Sequence, residues 1–188
     1  MAKSKNNVVT YGLSGKVGDM LIFRQVDGKT VVSKIPERTK ELSEKQIEHQ
    51  HRFKRAVIYG KTAAETPGTK EIYEAVAAKR KKTPFIVAVA DFFNAPEIEN
   101  IDLSNYTGTP GDTIKVTVTD DVTVKSVSVS IINADGSTVE EGSAVADASG
   151  YVWTYTAVQN NDNLEGDKIV VAVSDLPGNL TEESKTVN

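Results

Sequence analysis

The pattern of hydrophobic and polar positions changes near residue 95. Beyond that point, apolar side chains alternate with polar ones in several short runs, whereas before it they recur mostly at wider, helix-like spacing. A period of two is typical of strands with one buried face, and a period near 3.6 is typical of helices. The pattern therefore predicts two parts, residues 1–95 and residues 96–188, joined at Asn94-Ala95-Pro96.

The C-terminal part contains four alternating rows that are separated by turn-forming Gly, Asp, Asn and Pro residues. Several short strands at this spacing are typical of a two-sheet sandwich. Trp153 is predicted to lie at the centre of its core, together with Val116, Val129 and Val171. The rows are Ile114-Val116-Val118, Val127-Val129-Ile131, Tyr151-Trp153-Tyr155 and Ile169-Val171-Val173.

The beginning of the chain predicts a β-hairpin. The run Met20 to Phe23 and the run Thr30 to Val32 are strand-like, and Asp27-Gly28 lies between them. Asp-Gly between two such runs is a strong signal for a two-residue hairpin turn.

Two or three helices are predicted after the hairpin. Ser43 and Gln46 have the spacing of a capping box, which predicts a helix over residues 43–66. Its predicted buried stripe is Ile47, Phe53, Val57, Gly60 and Ala64. A second helix is predicted from Thr69 to Lys82. Residues 85–93 fit either a third helix or a buried strand, and the preceding Thr-Pro pair favours the helix.

The C-terminal turns and strand centres resemble those of bacterial immunoglobulin-like repeats. Such repeats occur in adhesins, phage virion proteins and other surface assemblies, so the resemblance implies a binding or structural module. Without cysteine, the sequence lacks the Cys-Trp-Cys pattern of antibody domains. The segments that carry the resemblance are Gly111-Asp112-Thr113-Ile114, Asp120-Asp121, Asn133-Ala134-Asp135-Gly136, Trp153-Thr154-Tyr155 and Asp175-Leu176-Pro177-Gly178-Asn179.

The N-terminal half resembles an uncharacterised Bacteroidetes family in the segment Gly12 to Asp19 and in the segment Ser43 to Phe53. That family is associated with phage-derived or secreted particles, including contractile ones, and the resemblance brings no catalytic residues with it. The fold class expected for the chain is an α+β N-terminal region, with a hairpin plus helices, followed by an all-β immunoglobulin-like sandwich.

Charge divides the chain more sharply than its net value of -4 indicates. Residues 1–90 hold 18 Lys and Arg against 9 Asp and Glu, whereas residues 91–188 hold 4 against 17. A basic segment favours an acidic protein surface or nucleic acid as its partner. The candidate docking residues are Lys16, Arg24, Arg52, Lys54, Arg55, Lys79, Arg80, Lys81 and Lys82.

Two segments that resemble enzyme motifs lack the required residue or spacing. A phosphate-binding loop needs Ser or Thr after its Gly-Lys pair, but Val17 follows Gly15-Lys16. His49 and His51 are two positions apart, and a helical metal pair needs four. No cysteine is present for thiol catalysis or zinc binding. The expectation is a protein without enzymatic activity, cofactor or small-molecule substrate.

Three carboxylates near predicted strand ends leave two alternatives open. Asp120, Asp121 and Asp175 have the oxygen ligands that calcium prefers, and the same residue type caps turns through its side chain. Turn capping is the expectation.

The function expected from these patterns is that of a structural or interaction protein. Its basic half would anchor on a larger, multi-copy assembly such as a phage virion, and its acidic sandwich would project for decoration or binding. No secretory signal and no apolar stretch of membrane-spanning length is visible, which predicts a virion or particle location and otherwise a cytoplasmic one. A nucleic-acid-binding protein is the alternative, and a calcium-dependent adhesin subunit is a third possibility.

Overall fold

The computed structural model describes residues 2–4, 9–36 and 41–187. The chain has a mixed α and β fold and separates into two compact units, Met1–Ile47 and Glu48–Asn188. This division lies within the first helix, well before residue 95, so most of the helical part shares a compact unit with the C-terminal strands. Whether residues 96–188 fold by themselves stays a prediction.

The first unit contains a four-stranded antiparallel sheet made of β1 (Ala2–Ser4), β2 (Gly15–Val17), β3 (Leu21–Val26) and β4 (Lys29–Lys34). The strand order is β1-β4-β3-β2. Asp27 and Gly28 connect the two central strands with φ angles of 49° and 70°. Both angles lie in the left-handed region that a two-residue hairpin turn requires, and the predicted hairpin is confirmed.

The described residues form three helices, α1 (Glu44–Glu65), α2 (Thr69–Arg80) and α3 (Pro84–Asp91). The capping box of α1 is present, because the Gln46 N–H donates to Ser43 Oγ at 3.4 Å and the Ser43 N–H donates to Gln46 Oε1 at 3.1 Å. Thr83 accepts a hydrogen bond from the Ile86 N–H and so caps α3. Residues 85–93 therefore include a helix and not a strand. No helix in the described ranges combines the length and apolar character needed to cross a bilayer.

Helix α1 packs through small side chains, so the expected stripe is confirmed at Gly60 and wrong at Ile47 and Phe53. Its buried residues are Ala56, Gly60 and Ala63, whereas Phe53 is 51% exposed. A Cβ added to Gly60 would lie 2.7 Å from Val89 Cγ2 of α3, so the two helices approach closely at this glycine. The larger apolar residues nearer the start of α1, Ile47 included, lie outside this contact and remain exposed.

Two further antiparallel sheets enclose one hydrophobic core and form the sandwich of the second unit. One sheet has the order β5-β6-β10-β9 and the other the order β12-β11-β7-β8. The strands are β5 (Glu97–Asn105), β6 (Thr113–Thr119), β7 (Val124–Ile132), β8 (Thr138–Ser143), β9 (Val145–Ala146), β10 (Val152–Thr156), β11 (Lys168–Asp175) and β12 (Leu180–Thr186).

The valines expected in the core are buried, and the tryptophan lies at its margin. Val116, Val129 and Val171 are fully buried, and Val129 pairs directly with Val171. Trp153 is only partly buried, and its indole N–H donates to the Gly150 carbonyl at 3.2 Å. Trp153 occupies the second position of β10, beside the preceding turn, whereas Tyr155, two residues further along, is buried.

The chain enters the sandwich beside the helices and leaves it at the opposite end. At the entry, Thr181 Oγ1 at the start of β12 donates to the Pro96 carbonyl at 2.6 Å. At the far end, the Val187 N–H donates to the Asp167 carbonyl. Between these points Lys185 Nζ donates to the Ile101 carbonyl at 2.5 Å, which ties β12 to β5 across the open side of the sandwich.

Candidate interaction surface and the helix-sandwich junction

One face of the sheet of the first unit carries a cluster of apolar side chains, with Lys34 beside Leu21 at its edge. Residues paired directly across antiparallel strands share a face, and the pairs Val17 with Leu21 and Phe23 with Val32 place these four side chains together. Val17 and Leu21 are exposed, and Phe23 and Val32 are half-buried. We call Val17, Leu21, Phe23 and Val32 the apolar sheet face.

A loop extends this surface at one end. Gln25 and Thr30 are paired on the same side of the sheet, where Gln25 Nε2 donates to the Leu13 carbonyl at 2.8 Å. Thr30 Oγ1 donates to the Thr10 carbonyl at 2.8 Å. These bonds hold residues 10–13 beside the apolar sheet face and leave the Tyr11 side chain 78% exposed.

At the other end the surface continues through Met20, which is 75% exposed. The Ile35 N–H donates to the Met20 carbonyl, so the two chain segments that flank the hairpin meet there. A shallow pocket of about 420 Å³ is lined by Met20, Leu21 and Ile35 together with Asp19 and Lys34.

The opposite face of the same sheet carries basic side chains beside the apolar ones of Ile22, Val26 and Val31. Lys16 pairs with Ile22, Arg24 pairs with Val31, and Val26 pairs with Lys29, which places Lys16, Arg24 and Lys29 on one side. All three basic side chains are exposed. The structure therefore brings two predicted docking residues, Lys16 and Arg24, to one surface and adds Lys29, which the sequence analysis missed.

The first unit buries very little of itself. Among the described side chains of residues 9–36 and 41–47, those of Thr30 and Val31 are the buried ones. A small sheet needs one face packed against another layer to be stable in water. This sheet has a hydrophobic face without such a layer in the described part of the chain.

The basic residues of α1 serve partly to hold the helices together. The Arg52 guanidinium lies 5.2 Å from the centre of the Phe93 ring and donates to the Phe93 carbonyl at 3.3 Å. Phe53 stacks on the same ring at a centroid distance of 6.4 Å. Lys54 and Arg55 are exposed and remain accessible to a partner.

In the basic run at the end of α2, one residue likewise binds within the chain and the other three remain exposed. Arg80 Nη2 donates to the Asp121 carbonyl at 2.5 Å and lies 3.8 Å from Asp121 Oδ1, which attaches α2 to the β6–β7 loop. Lys79, Lys81 and Lys82 are exposed. Lys81 has a left-handed φ of 52° and terminates the helix.

Asp91 lies fully buried where α3 meets the sandwich. Its Oδ2 accepts a 2.6 Å hydrogen bond from the Tyr73 hydroxyl, which is also 2.8 Å from the Tyr59 hydroxyl. Asp91 Oδ1 has no hydrogen-bond partner within the described residues. Burial raises the pKa of Asp91 to about 7, and the negative charges of Asp120 and Asp175 act in the same direction.

Of the three carboxylates weighed as calcium ligands, Asp120 and Asp175 cap loops at this junction, whereas Asp121 binds the side chains of Arg80 and Asn94. Asp120 Oδ2 accepts hydrogen bonds from the N–H groups of Val122 and Thr123. Asp175 accepts 2.6 and 2.7 Å bonds from the backbone and side chain of Asn179. These bonds confirm turn capping for Asp120 and Asp175. Within the described ranges no three histidine or acidic side chains are grouped so that they could hold a metal ion.

The same asparagine joins helix and sandwich. Asn179 Nδ2 donates to the Asp91 carbonyl at 3.3 Å and to the Asn94 carbonyl at 3.1 Å. Asn94 Nδ2 in turn donates to Asp121 Oδ2 at 2.5 Å. Asp91 was not among the predicted site residues, because its one sequence signal is a single carboxylate at the end of the apolar run that begins at Phe85.

No family model matches the chain, and no curated protein matches it. The crystal structure of an engineered protein is similar over 54% of this chain and 26% of its own length, with 16% sequence identity and a TM-score of 0.35. A similarity at this level carries no argument about fold or function.

Proposed function

We propose that the protein is a non-enzymatic interaction protein whose N-terminal unit anchors it on a larger, multi-copy protein assembly. A phage virion or a related particle is the kind of assembly proposed. The C-terminal sandwich then projects from that body as an immunoglobulin-like module for decoration or binding.

One observation carries the proposal: the N-terminal sheet has an apolar face and no layer within the described residues to cover it. Exposed apolar patches with polar rims are typical of protein interfaces. Beyond Phe23, the outer edge of β3 also has no strand partner among the described residues. A partner that covers the face or adds a strand at this edge would complete the unit.

The strand order supports an immunoglobulin-like module. Named A to G in chain order, with C′ as the additional strand after C, the eight strands give sheets ABED and GFCC′. The constant-type immunoglobulin fold has sheets ABED and GFC. The acidic balance of residues 91–188 fits a part that stays in solvent.

The test uses the full chain expressed in its native host and followed by sedimentation of cell extracts. We expect wild-type protein to sediment with large particles, and Tyr11→Ser combined with Met20→Ser to move most of it to the monomer fraction. The matched control is Tyr151→Ser, which removes an exposed tyrosine from the sandwich and is expected to leave sedimentation unchanged. Wild-type protein that sediments only as a monomer would overturn the proposal.

Binding to nucleic acid is a second candidate, because the exposed side chains of Lys16, Arg24 and Lys29 lie on the same face of the sheet. Its test is fluorescence anisotropy of the full chain with a 30-base-pair DNA duplex over a range of salt concentrations. Nucleic-acid binding predicts affinity that falls steeply with salt and a smaller salt slope for Lys16→Gln with Arg24→Gln. Particle association that survives nuclease treatment favours the protein assembly instead.

A further inference from the structure

Asp91 occupies a position where its ionised form is poorly accommodated. The carboxyl is fully buried, one oxygen has the Tyr73 hydroxyl as its donor, and the other has no partner within the described residues. A buried carboxylate oxygen without a donor is costly, whereas a protonated carboxyl has no charge to solvate. The site therefore favours the neutral acid.

The charges around Asp91 strengthen this preference. Asp120 and Asp121 face it from the β6–β7 loop, and Asp175 faces it from the end of β11. The basic group at this junction, Arg80 of α2, lies on Asp121. From the helices, Tyr73 faces the carboxyl directly, and Tyr59 reaches it only through Tyr73.

Asp91 also lies at the attachment of the helices to the sandwich. Its own backbone carbonyl accepts from Asn179 of the β11–β12 loop. Val122 and Leu176, from the two loops that surround it, pack on the helical core formed by Ala63, Tyr73, Ala77, Val87 and Ala88. A charge at Asp91 is therefore placed between the surfaces that hold the two parts together.

We infer that Asp91 is a proton-operated latch that holds α3 against the sandwich loops when its carboxyl is protonated and loosens this junction when the carboxyl ionises. This device goes beyond the proposed function. It would make the rigidity with which the sandwich is held on the helices depend on pH.

The direction of the effect follows from linkage. Because burial raises the pKa of Asp91 from its ordinary value of 3.8 to about 7, the folded junction binds a proton more tightly than the opened one. The stabilisation is complete below the ordinary value and is lost as the pH rises to about 7. The opening equilibrium should increase by up to tenfold per pH unit in that window and remain constant above it. Burial also raises the pKa of Asp175, which acts in the same direction.

The first experiment is a carbon-detected NMR titration of aspartate carboxyls in the full chain from pH 3 to pH 9, combined with amide hydrogen exchange. We expect Asp91 to titrate near pH 7, and the amides of Phe92 and Asn94 to lose protection as the pH rises from about 4 to about 7, after correction for the intrinsic exchange rate. Titration of Asp91 near the ordinary aspartate value would overturn the inference.

Variants separate the latch from simple packing. Asp91→Asn keeps the shape and removes the charge, so the protection of Phe92 and Asn94 should lose most of its pH dependence. Asp121→Asn removes a more distant negative charge at the same junction, and it should keep the dependence with a slightly lower midpoint. A folded Asp91→Asn protein that retains the wild-type pH dependence would contradict the latch.

If Asp91→Asn does not fold, Tyr73→Phe decides the question. The Tyr73 hydroxyl stabilises the ionised carboxylate and so lowers the pKa of Asp91 relative to burial alone. Removing that hydroxyl should therefore move the titration of Asp91, and the loss of Phe92 protection with it, to higher pH. An unchanged midpoint would refute the latch.

Discussion

The N-terminal sheet and the C-terminal sandwich are both antiparallel, and they treat their hydrophobic side chains in opposite ways. The sandwich places Ile114, Ile131 and Ile169 between two sheets, where all three are fully buried. The N-terminal sheet places Val17, Leu21, Phe23 and Val32 on one face and leaves two of them exposed. Similar strands therefore produce a closed core in one region and an open surface in the other.

The difference shows that the presence of strands does not by itself decide whether a region covers its own hydrophobic side chains. The sandwich gains its stability within the chain, because each sheet covers the other. The N-terminal sheet has nothing equivalent among the described residues. Substitutions in the sandwich should therefore reduce stability, whereas substitutions on the apolar sheet face should reduce association.

The largest expected effect is in the core of the sandwich. Ile131→Ala removes three carbon atoms from a fully buried site, and we expect it to lower the free energy of unfolding by about 3–4 kcal/mol. Met20→Ala, at a 75% exposed position, should change it by less than about 0.5 kcal/mol. Urea denaturation followed by tryptophan fluorescence measures both changes. A comparable loss of unfolding free energy in the two variants would show that the two regions do not differ in how they use their hydrophobic side chains.

A smaller effect is expected where α1 crosses α3, and it tests whether the helices belong to the closed part of the molecule. In Gly60→Ala the new Cβ would meet Val89 Cγ2 at 2.7 Å, and the branched valine side chain has little freedom to move away. Overpacking should outweigh the gain in helix propensity and lower the melting temperature by several degrees, or about 1 kcal/mol.

Lys61→Ala, at an exposed position on the same helix, is the control for Gly60→Ala. It should leave the melting temperature nearly unchanged. A Gly60→Ala protein that melts at a higher temperature than the wild type would show that the helices are not closely packed at this point.

The smallest effect concerns acid stability at the far end of the sandwich. Hydrogen bonds from the backbone and side chains of Thr107 and Thr109 lower the pKa of Asp112 to about 2. A lowered pKa stabilises the fold above the ordinary aspartate value, and the contribution is lost as the pH falls towards 2. Asp112→Asn should therefore be less stable than the wild type at pH 7, with a difference that shrinks in acid.

Urea midpoints measured from pH 7 to pH 2 test the role of Asp112. Glu99→Gln replaces an exposed carboxyl on β5 and serves as the control. It should keep the acid-side loss of stability seen in the wild type. An Asp112→Asn protein whose midpoint stays below the wild-type value by the same amount at every pH would show that Asp112 acts through packing and not through its charge.

Much of the secondary structure could be predicted because its signals are local. Asp27-Gly28 specified the hairpin turn, Ser43 with Gln46 specified the start of α1, and the Thr-Pro pair before Phe85 specified α3. The alternation of Val127, Val129 and Ile131 identified one inward face of the sandwich. Each of these signals acts within a few residues of the structure that it determines.

The remaining features depend on contacts that sequence spacing does not report. Trp153 has the largest side chain of its row, but its place beside a turn leaves it at the margin of the core. Arg52 and Arg80 belong to the predicted docking set, yet both bind groups within their own chain. Asp91 becomes unusual only when loops 29 or more residues away in sequence bring Asp120 and Asp175 beside it.

The path of the chain through the sandwich has a mechanical consequence. Because the chain enters beside the helices at Pro96 and reaches Val187 at the opposite end, tension applied between these points pulls β5 and β12 in opposite directions along their lengths. The ladders that join β5 to β6 and β12 to β11 then carry the load in shear, with their hydrogen bonds resisting together. Strands that are loaded in shear separate at a higher force than strands whose hydrogen bonds break one after another.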